Sequence, residues 1–377
     1  MNILTLNKIA KCGLDEFPAC YTCGDAVNAP DAVMVRSASM HETVLDPATV
    51  AIARAGAGTN NIPIEACTDA GVCVFNTPGA NANAVKELVI AGLFLSSRKV
   101  AEALDWCKTL KGKGADVGPL VEKGKGAFGG PEITGKTLGL IGLGAIGSLT
   151  ANAAVALGMD VIGVDPYISD DVKASLNPAV KLMGSWDEVI AQSDYISLNV
   201  PLNADTKGAF NAATFAKAKD GLRLLNFARA ALVNDTDLIA ALASGKVAAY
   251  VTDFPTDEVI GVPGVTAIPH LGASTPESED NCAIMAARQI KAYLETGEIK
   301  NSVNLPETKL PAISGTRVCV IHKGSADAVL AAIGASRAVA SNSRGDVTYT
   351  VADISGAADT AKIAAVDGVL RVRVLAA

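Results

Sequence analysis

One stretch limits the folds open to this chain more than any other: Lys136 to Pro166, KTLGLIGLGAIGSLTANAAVALGMDVIGVDP. No charged residue occurs between Lys136 and Asp160, so the segment has the length of a membrane span. Glycines at 139, 142, 144 and 147 crowd its first half, and Asn152 would lie unpaired in hydrocarbon. The periodicity also changes partway. Leu138–Ile141 reads as a short buried strand, Ile146–Leu157 recurs at helical spacing, and Val161–Val164 is a second strand ending at Asp165. Gly142-x-Gly144-x-x-Gly147 is a weak signal alone. Between a strand and a helix, with an acid about 20 residues on, it is a dinucleotide fingerprint.

Each part has a physical task. Gly142 permits a tight turn, Gly144 lets the backbone approach a pyrophosphate, and Gly147 lets helix and strand pack closely. The helix N-terminus then faces the phosphates with its dipole. Asp165 would accept from the ribose hydroxyls and repel a 2′-phosphate. Pro166 and Tyr167 follow it with no arginine, so NAD is expected over NADP.

The rest of the chain repeats this α/β alternation. Before the glycine unit, Ile3–Leu6, Ala32–Val35, Val50–Ala53 and Val72–Phe75 read as buried parallel strands. After it come Tyr195–Val200, Leu222–Phe227, Ala248–Thr252 and Val265–Ile268. Ligands of such sheets sit at strand C-termini. There the sequence offers Arg36 and Arg54 in the first half, which suit an anionic substrate, and Arg229, Asp253 and His270 in the second. Asn81–Lys108 reads as one long helix crossing between domains, and Lys111–Gly130 as a glycine- and lysine-rich loop able to close over a ligand. A helix at Glu277–Glu295 and a proline-containing linker lead to the last 70 or so residues. These read βαββαβ, a small appended domain.

At 377 residues, half of them hydrophobic, two or three domains are expected. A net charge of −7 argues against nucleic acid and anionic membranes as partners. No signal peptide is evident, and the eight cysteines form no framework. Cys20-x-x-Cys23 lacks a second pair or a histidine at ligand spacing, so no metal is expected, and the setting reads as reduced and cytoplasmic. Oxidising a secondary alcohol needs a base. Of three histidines, His270 alone ends a strand of the dinucleotide unit, with Asp257 and Glu258 both available to hold its tautomer. Arg229 supplies a fixed cation for a carboxylate and a forming carbonyl.

The chain resembles the D-isomer-specific 2-hydroxyacid dehydrogenases over nearly its first 300 residues. The resemblance rests on RSAS at Arg36, RAGAGTNNI at Arg54, FNTPGANANAVKE at Phe75, GLGAIG at Gly142, NVPLNADT at Asn199, NFARAALV at Asn226, DFPTDE at Asp253 and PHLGAST at Pro269. It implies two Rossmann-like, doubly wound parallel-sheet domains, one of them discontinuous. The substrate domain would be 1–95 with 277–303, the NAD domain 96–276, and an ACT-like, ferredoxin-like regulatory domain 308–377. Arg229, Glu258 and His270 would form the catalytic set. Gly142, Gly144, Ala145, Ile146, Gly147, Asp165, Val200, Pro201, Phe227, Ala228, Asp253, Gly272 and Ala273 would hold NAD, with Asp253 on the nicotinamide amide. Arg36, Ser37, Arg54, Ala57 and Gly58 would bind substrate.

Within the family the branch most resembled oxidises D-3-phosphoglycerate to 3-phosphohydroxypyruvate, the opening step of serine synthesis. Such an enzyme would be a homo-oligomer, a dimer or tetramer. Reduction of glyoxylate or hydroxypyruvate is the alternative within the family, and NAD sensing by a corepressor-like protein the one outside its chemistry. Three departures stand out. Ala230 and Ala231 replace two glycines, no proline follows Glu258, and His322-Lys-Gly-Ser replaces the Asn-x-Pro-Gly of serine-binding tails. With the catalytic set and both arginines upstream, a chain lacking 308–377 is expected to fold and act.

Overall fold

The computed structural model describes residues 1–376, which form two compact units. Unit 1 comprises 1–81 and 276–376, and unit 2 comprises 82–275.

Unit 1 opens with strands β1 (Asn2–Leu6), β2 (Thr22–Gly24), β3 (Ala32–Val35), β4 (Ala51–Arg54) and β5 (Cys73–Phe75). They form one parallel sheet in the order β2-β1-β3-β4-β5. All four residues of β3 are buried, as expected where helices cover both faces. Helix Pro276–Thr296 returns to this sheet and buries Cys282, Ala283, Ala286, Ala287, Ile290 and Tyr293 against it. Small residues bring the helix close. A Cβ built on Gly13 would stand 2.6 Å from Ala283.

Unit 2 holds β6 (Thr137–Ile141), β7 (Asp160–Val164), β8 (Lys181–Leu182), β9 (Tyr195–Leu198), β10 (Leu222–Asn226), β11 (Val247–Thr252) and β12 (Val265–Ala267). All pair in parallel, in the order β12-β11-β10-β9-β6-β7-β8. The order reverses between β6 and β9, which opens a crevice beyond their C-termini. Four of the helices between strands start on side-chain caps: Ser169, Ser185, Asn211 and Asn234 each accept from a first-turn N–H.

The tail adds β13 (Thr316–Lys323), helix Ala326–Ile333, β14 (Ser336–Arg344), β15 (Val347–Ile354), helix Thr360–Ala364 and β16 (Val369–Ala376). Its sheet is antiparallel in the order β14-β15-β13-β16, the split βαββαβ arrangement that the pattern indicated.

Several sequence expectations are corrected. Asn81–Lys108 is two helices, Ala82–Ser97 and Val100–Lys108. The Ser96 and Ser97 hydroxyls both donate to the Leu93 carbonyl and compete with the helical ladder where it stops. The first of these helices packs Val85, Val89 and Leu93 into the core of unit 2, so the boundary falls at 81/82 rather than after 95. Lys111–Gly130 is no open loop. It contains helix Val117–Gly124 between two short 3₁₀ turns, with Trp106 packed on Phe128 at 5.3 Å between ring centres. Cys23 lies inside β2, a strand that the sequence reading missed. No helix among the described residues is long and apolar enough to cross a membrane.

Candidate active site

The glycine turn after β6 has the geometry that a dinucleotide needs. Gly142 adopts φ +95°, and a Cβ there would stand 2.7 Å from the Asn199 carbonyl. A Cβ on Gly147 would stand 2.1 Å from the Gly142 carbonyl oxygen, so helix Ala145–Ala156 approaches the turn only because residue 147 has no side chain. A Cβ on Gly144, by contrast, would meet nothing within 4 Å. Gly144 and Ala145 are exposed and Ile146 half-buried, and no side chain caps this helix start. Its first N–H groups therefore face open space, as a bound pyrophosphate requires.

Asp165 follows β7, the neighbour of β6. Its carboxylate accepts from the Leu143 N–H at 2.9 Å and the Tyr167 N–H at 2.9 Å. The acid thus braces the glycine turn as well as standing where a ribose is expected. Across the reversal, Val200 and Pro201 follow β9, and a Val200 methyl lies 3.0 Å from the Cβ position of Gly142.

Three adjacent strand ends supply the polar residues. Phe227, Ala228 and Arg229 follow β10. Buried Asn226 shapes this loop: its Oδ1 accepts from the Ala228 and Arg229 N–H groups, and its Nδ2 donates to the Arg229 carbonyl at 2.9 Å. Asp253 and Phe254 follow β11. Thr252 Oγ1 donates to the Asn226 carbonyl and accepts from the Phe254 N–H, tying the two strand ends together. His270 follows β12, with Gly272 and Ala273 in the next turn.

Asp253 is 1% exposed. Its Oδ2 accepts from the Gly272 N–H at 2.9 Å, and its Oδ1 is buried without a partner. Burial pushes its carboxyl above the ordinary range, opposed by the Gly272 N–H and by the charge of His270. A buried acceptor left open in this crevice fits an amide donor such as the nicotinamide carboxamide. Together with the open face at Gly144, this makes the residues present a fit for NAD.

Arg229 and His270 meet on one ring. The Arg229 guanidinium lies 5.2 Å from the Phe254 ring centre, and the His270 and Phe254 ring centres are 4.4 Å apart. Glu258 and Asp257 are both exposed, and among the described residues neither is hydrogen-bonded to the His270 ring. Asn226, Thr252 and Phe254 were missed by the sequence reading. Asn and Thr at a strand end are the available signal, being types that bond locally to backbone.

In unit 1 the expected substrate residues cluster at the C-termini of β3 and β4. Arg54 Nε donates to the Arg36 carbonyl at 3.0 Å, and Arg36 pairs with Glu279 at 2.6 Å. Asn7, at φ 70°, accepts from the Ser37 and Ala38 N–H groups, and Asn61 donates to the Ala38 carbonyl. Asn76 donates to the Ala57 carbonyl beside Gly58. A separate cleft of about 490 Å³ along helix Pro276–Thr296, lined among others by Gly79, Met285, Gln289 and Lys300, holds none of these residues.

Comparison with known proteins agrees with this geometry. Residues 90–272 match the family described as D-isomer specific 2-hydroxyacid dehydrogenase, NAD binding domain. D-3-phosphoglycerate dehydrogenase of Mycobacterium leprae is 35% identical over 289 residues, 74% of this chain and 52% of that protein. The Bacillus subtilis protein of the same name is 33% identical over 291 residues, 75% of this chain and 53% of that protein. The chain thus spans about half the length of these relatives. Among solved structures, NAD⁺-bound 3-phosphoglycerate dehydrogenase of Entamoeba histolytica aligns with TM-score 0.62 and 26% identity, over 81% of this chain and 98% of that one. A glyoxylate reductase from Paecilomyes thermophila aligns with TM-score 0.66 and 26% identity, over 80% and 98%. Residues 90–272 thus carry the likeness to the NAD-binding domain of the D-isomer-specific 2-hydroxyacid dehydrogenases, and about three quarters of the chain is similar to D-3-phosphoglycerate dehydrogenases.

Proposed function

We propose that this protein is an NAD-dependent dehydrogenase that oxidises D-3-phosphoglycerate to 3-phosphohydroxypyruvate, the entry to serine synthesis. The observation that carries the reading is the convergence of Arg229, Asp253 and His270 on three neighbouring strand ends, in the sheet that bears the glycine turn. NAD, held at the Gly142–Gly147 turn and Asp165, would supply the hydride acceptor for the C2 hydrogen. His270 takes the hydroxyl proton, and Glu258 steadies the imidazolium that results. Arg229 binds the carboxylate and the forming carbonyl oxygen, and Asp253 accepts from the nicotinamide amide. Arg36 and Arg54 meet the phosphate, with Ser37, Ala57 and Gly58 supplying backbone around it. We further propose a cytoplasmic homo-oligomer, with the tail as an ACT-like regulatory domain.

A second reading, reduction of glyoxylate or hydroxypyruvate, is favoured by one observation. Arg36 already carries Glu279 as a counter-ion, so a phosphate would have to displace it. A panel of 3-phosphoglycerate, glycerate, glyoxylate and hydroxypyruvate with NAD(H) and NADP(H) separates the two. The highest kcat/KM is expected for 3-phosphoglycerate with NAD. Turnover of glyoxylate or hydroxypyruvate without any of 3-phosphoglycerate would overturn the first reading.

A further inference from the structure

We propose that Phe254 is a positioning residue for the reaction, a shared aromatic platform that orients the His270 base and the Arg229 cation together; this rests on the dehydrogenase reading above. Three strand ends meet at this ring. Phe254 itself leaves β11, Arg229 comes from the end of β10, and His270 from the end of β12. Both functional side chains are exposed. Besides the ring, the Arg229 guanidinium contacts the carbonyl of its neighbour Ala228, at 2.6 Å. The His270 ring meets Phe254 at 4.4 Å with an interplanar angle of 44°.

The platform is fixed from below. The Phe254 N–H donates to Thr252 Oγ1 at 3.0 Å, and Thr252 Oγ1 donates to the Asn226 carbonyl at 2.9 Å. Asn226 in turn holds the backbone of the Arg229 loop. One buried polar chain therefore sets both the height of the ring and the loop that carries the guanidinium. The ring face is the negative end of the phenyl quadrupole, so it attracts a guanidinium and an imidazolium but not neutral imidazole to the same degree. Phe254 thus favours the protonated base, the form that His270 takes after accepting a proton. The charged neighbour coupled to His270 is Asp253, whose buried carboxyl feels the charge of that ring.

The test is replacement by leucine, which keeps apolar bulk and removes the π face, alongside tyrosine, which keeps both. Phe254→Leu is expected to lower kcat with 3-phosphoglycerate roughly 10-fold with NAD affinity unchanged, and Phe254→Tyr to stay within about twofold of wild type. Independently of turnover, NMR titration of the histidine rings should show the His270 signal, assigned through His270→Gln, titrating about half a pH unit lower in Phe254→Leu. With only three histidines the spectrum is simple. Leucine behaving as wild type in both kcat and titration would reduce Phe254 to space-filling and overturn the proposal. So would tyrosine failing as badly as leucine. A wild type that oxidises no 2-hydroxy acid with NAD sinks the dehydrogenase reading instead, and the ring titration still decides whether Phe254 acts on His270.

Discussion

Single residues carry the chemistry here, and they differ in how openly the sequence declares them. Gly142 and Gly147 were legible because each meets a different steric demand, which a Cβ at either position would violate, whereas Gly144 stands in open space. Asp165 was legible as the acid after the second strand, but not as a brace for the Leu143 N–H. Phe254 was invisible, since an aromatic residue at a strand end reads as core. Asp253 and Glu258 are the two acids placed to serve His270. Burial and the His270 charge act on Asp253, whereas Glu258 stands exposed. Catalytic hydrogen bonds often tighten only when substrate is bound. Glu258→Gln is expected to move the His270 limb of the oxidation pH profile to lower pH, because a lost carboxylate lowers an imidazole pKa. If that limb stays in Glu258→Gln and moves in Asp253→Asn, Asp253 holds the imidazolium and Glu258 has no part in it.

Among the elements, helix Pro276–Thr296 shows how far parts of the chain depend on one another. It has no basic residue in its own last turn, and its C-terminal carbonyls are taken by the tail instead. Arg317 Nη1 donates to the Thr296 carbonyl at 2.9 Å, Tyr349 Oη to the Gly297 carbonyl at 2.9 Å, and Arg373 to the Tyr293 and Leu294 carbonyls. Arg373 also lies 4.3 Å from the Tyr293 ring centre. These cations stand where the helix dipole is negative. Arg317 is held by Asp353 through two hydrogen bonds, at 2.7 and 2.9 Å, with both side chains buried. The Arg317 guanidinium keeps the Asp353 carboxyl below its ordinary range, so the pair stabilises the fold above about pH 4 and loses that contribution as pH falls further. Asp353→Asn leaves a buried guanidinium without its counter-charge and should cost about 3–5 kcal/mol. Thermal melts should show it, and the double replacement Arg317→Met with Asp353→Leu should recover most of the loss. A melting point unchanged in Asp353→Asn would show that the pair does not hold the tail.

For the molecule as a whole, the two parallel sheets and the βαββαβ succession of the tail were legible from periodicity, and the place of the tail was not. Its β13 and β15 bury both faces. Cys319, Ile321, Tyr349 and Val351 join the core formed by Ile3, Phe17, Phe75 and Tyr293, while Val318, Val320 and Ile354 face the tail's own helices. The signal was present in Val318–Ile321, a continuous apolar run where a sheet with one wet face would alternate. The expectation that 308–377 can be removed is therefore reversed. Without the tail, unit 1 loses part of its main core and the cap on its longest helix. A chain ending at 307 should aggregate, or melt at least roughly 10 °C lower, at a few degrees per kcal/mol. A soluble, equally stable truncation would show that this shared core is dispensable.

The interruption of unit 1 also orders events during synthesis. Strands β1 to β5 leave the ribosome before unit 2, yet Ala283, Ala286, Ile290 and Tyr293, which cover one face of them, follow only after all of residues 82–275. At about 5–20 residues per second that wait is roughly 10–40 s, long compared with the collapse of a contiguous domain. Unit 2 has the whole of its sheet within that window and folds first. The nascent first sheet meanwhile exposes an apolar face, which makes it the natural client of a chaperone and the point where slow translation or a destabilising change in the last hundred residues would turn into aggregation.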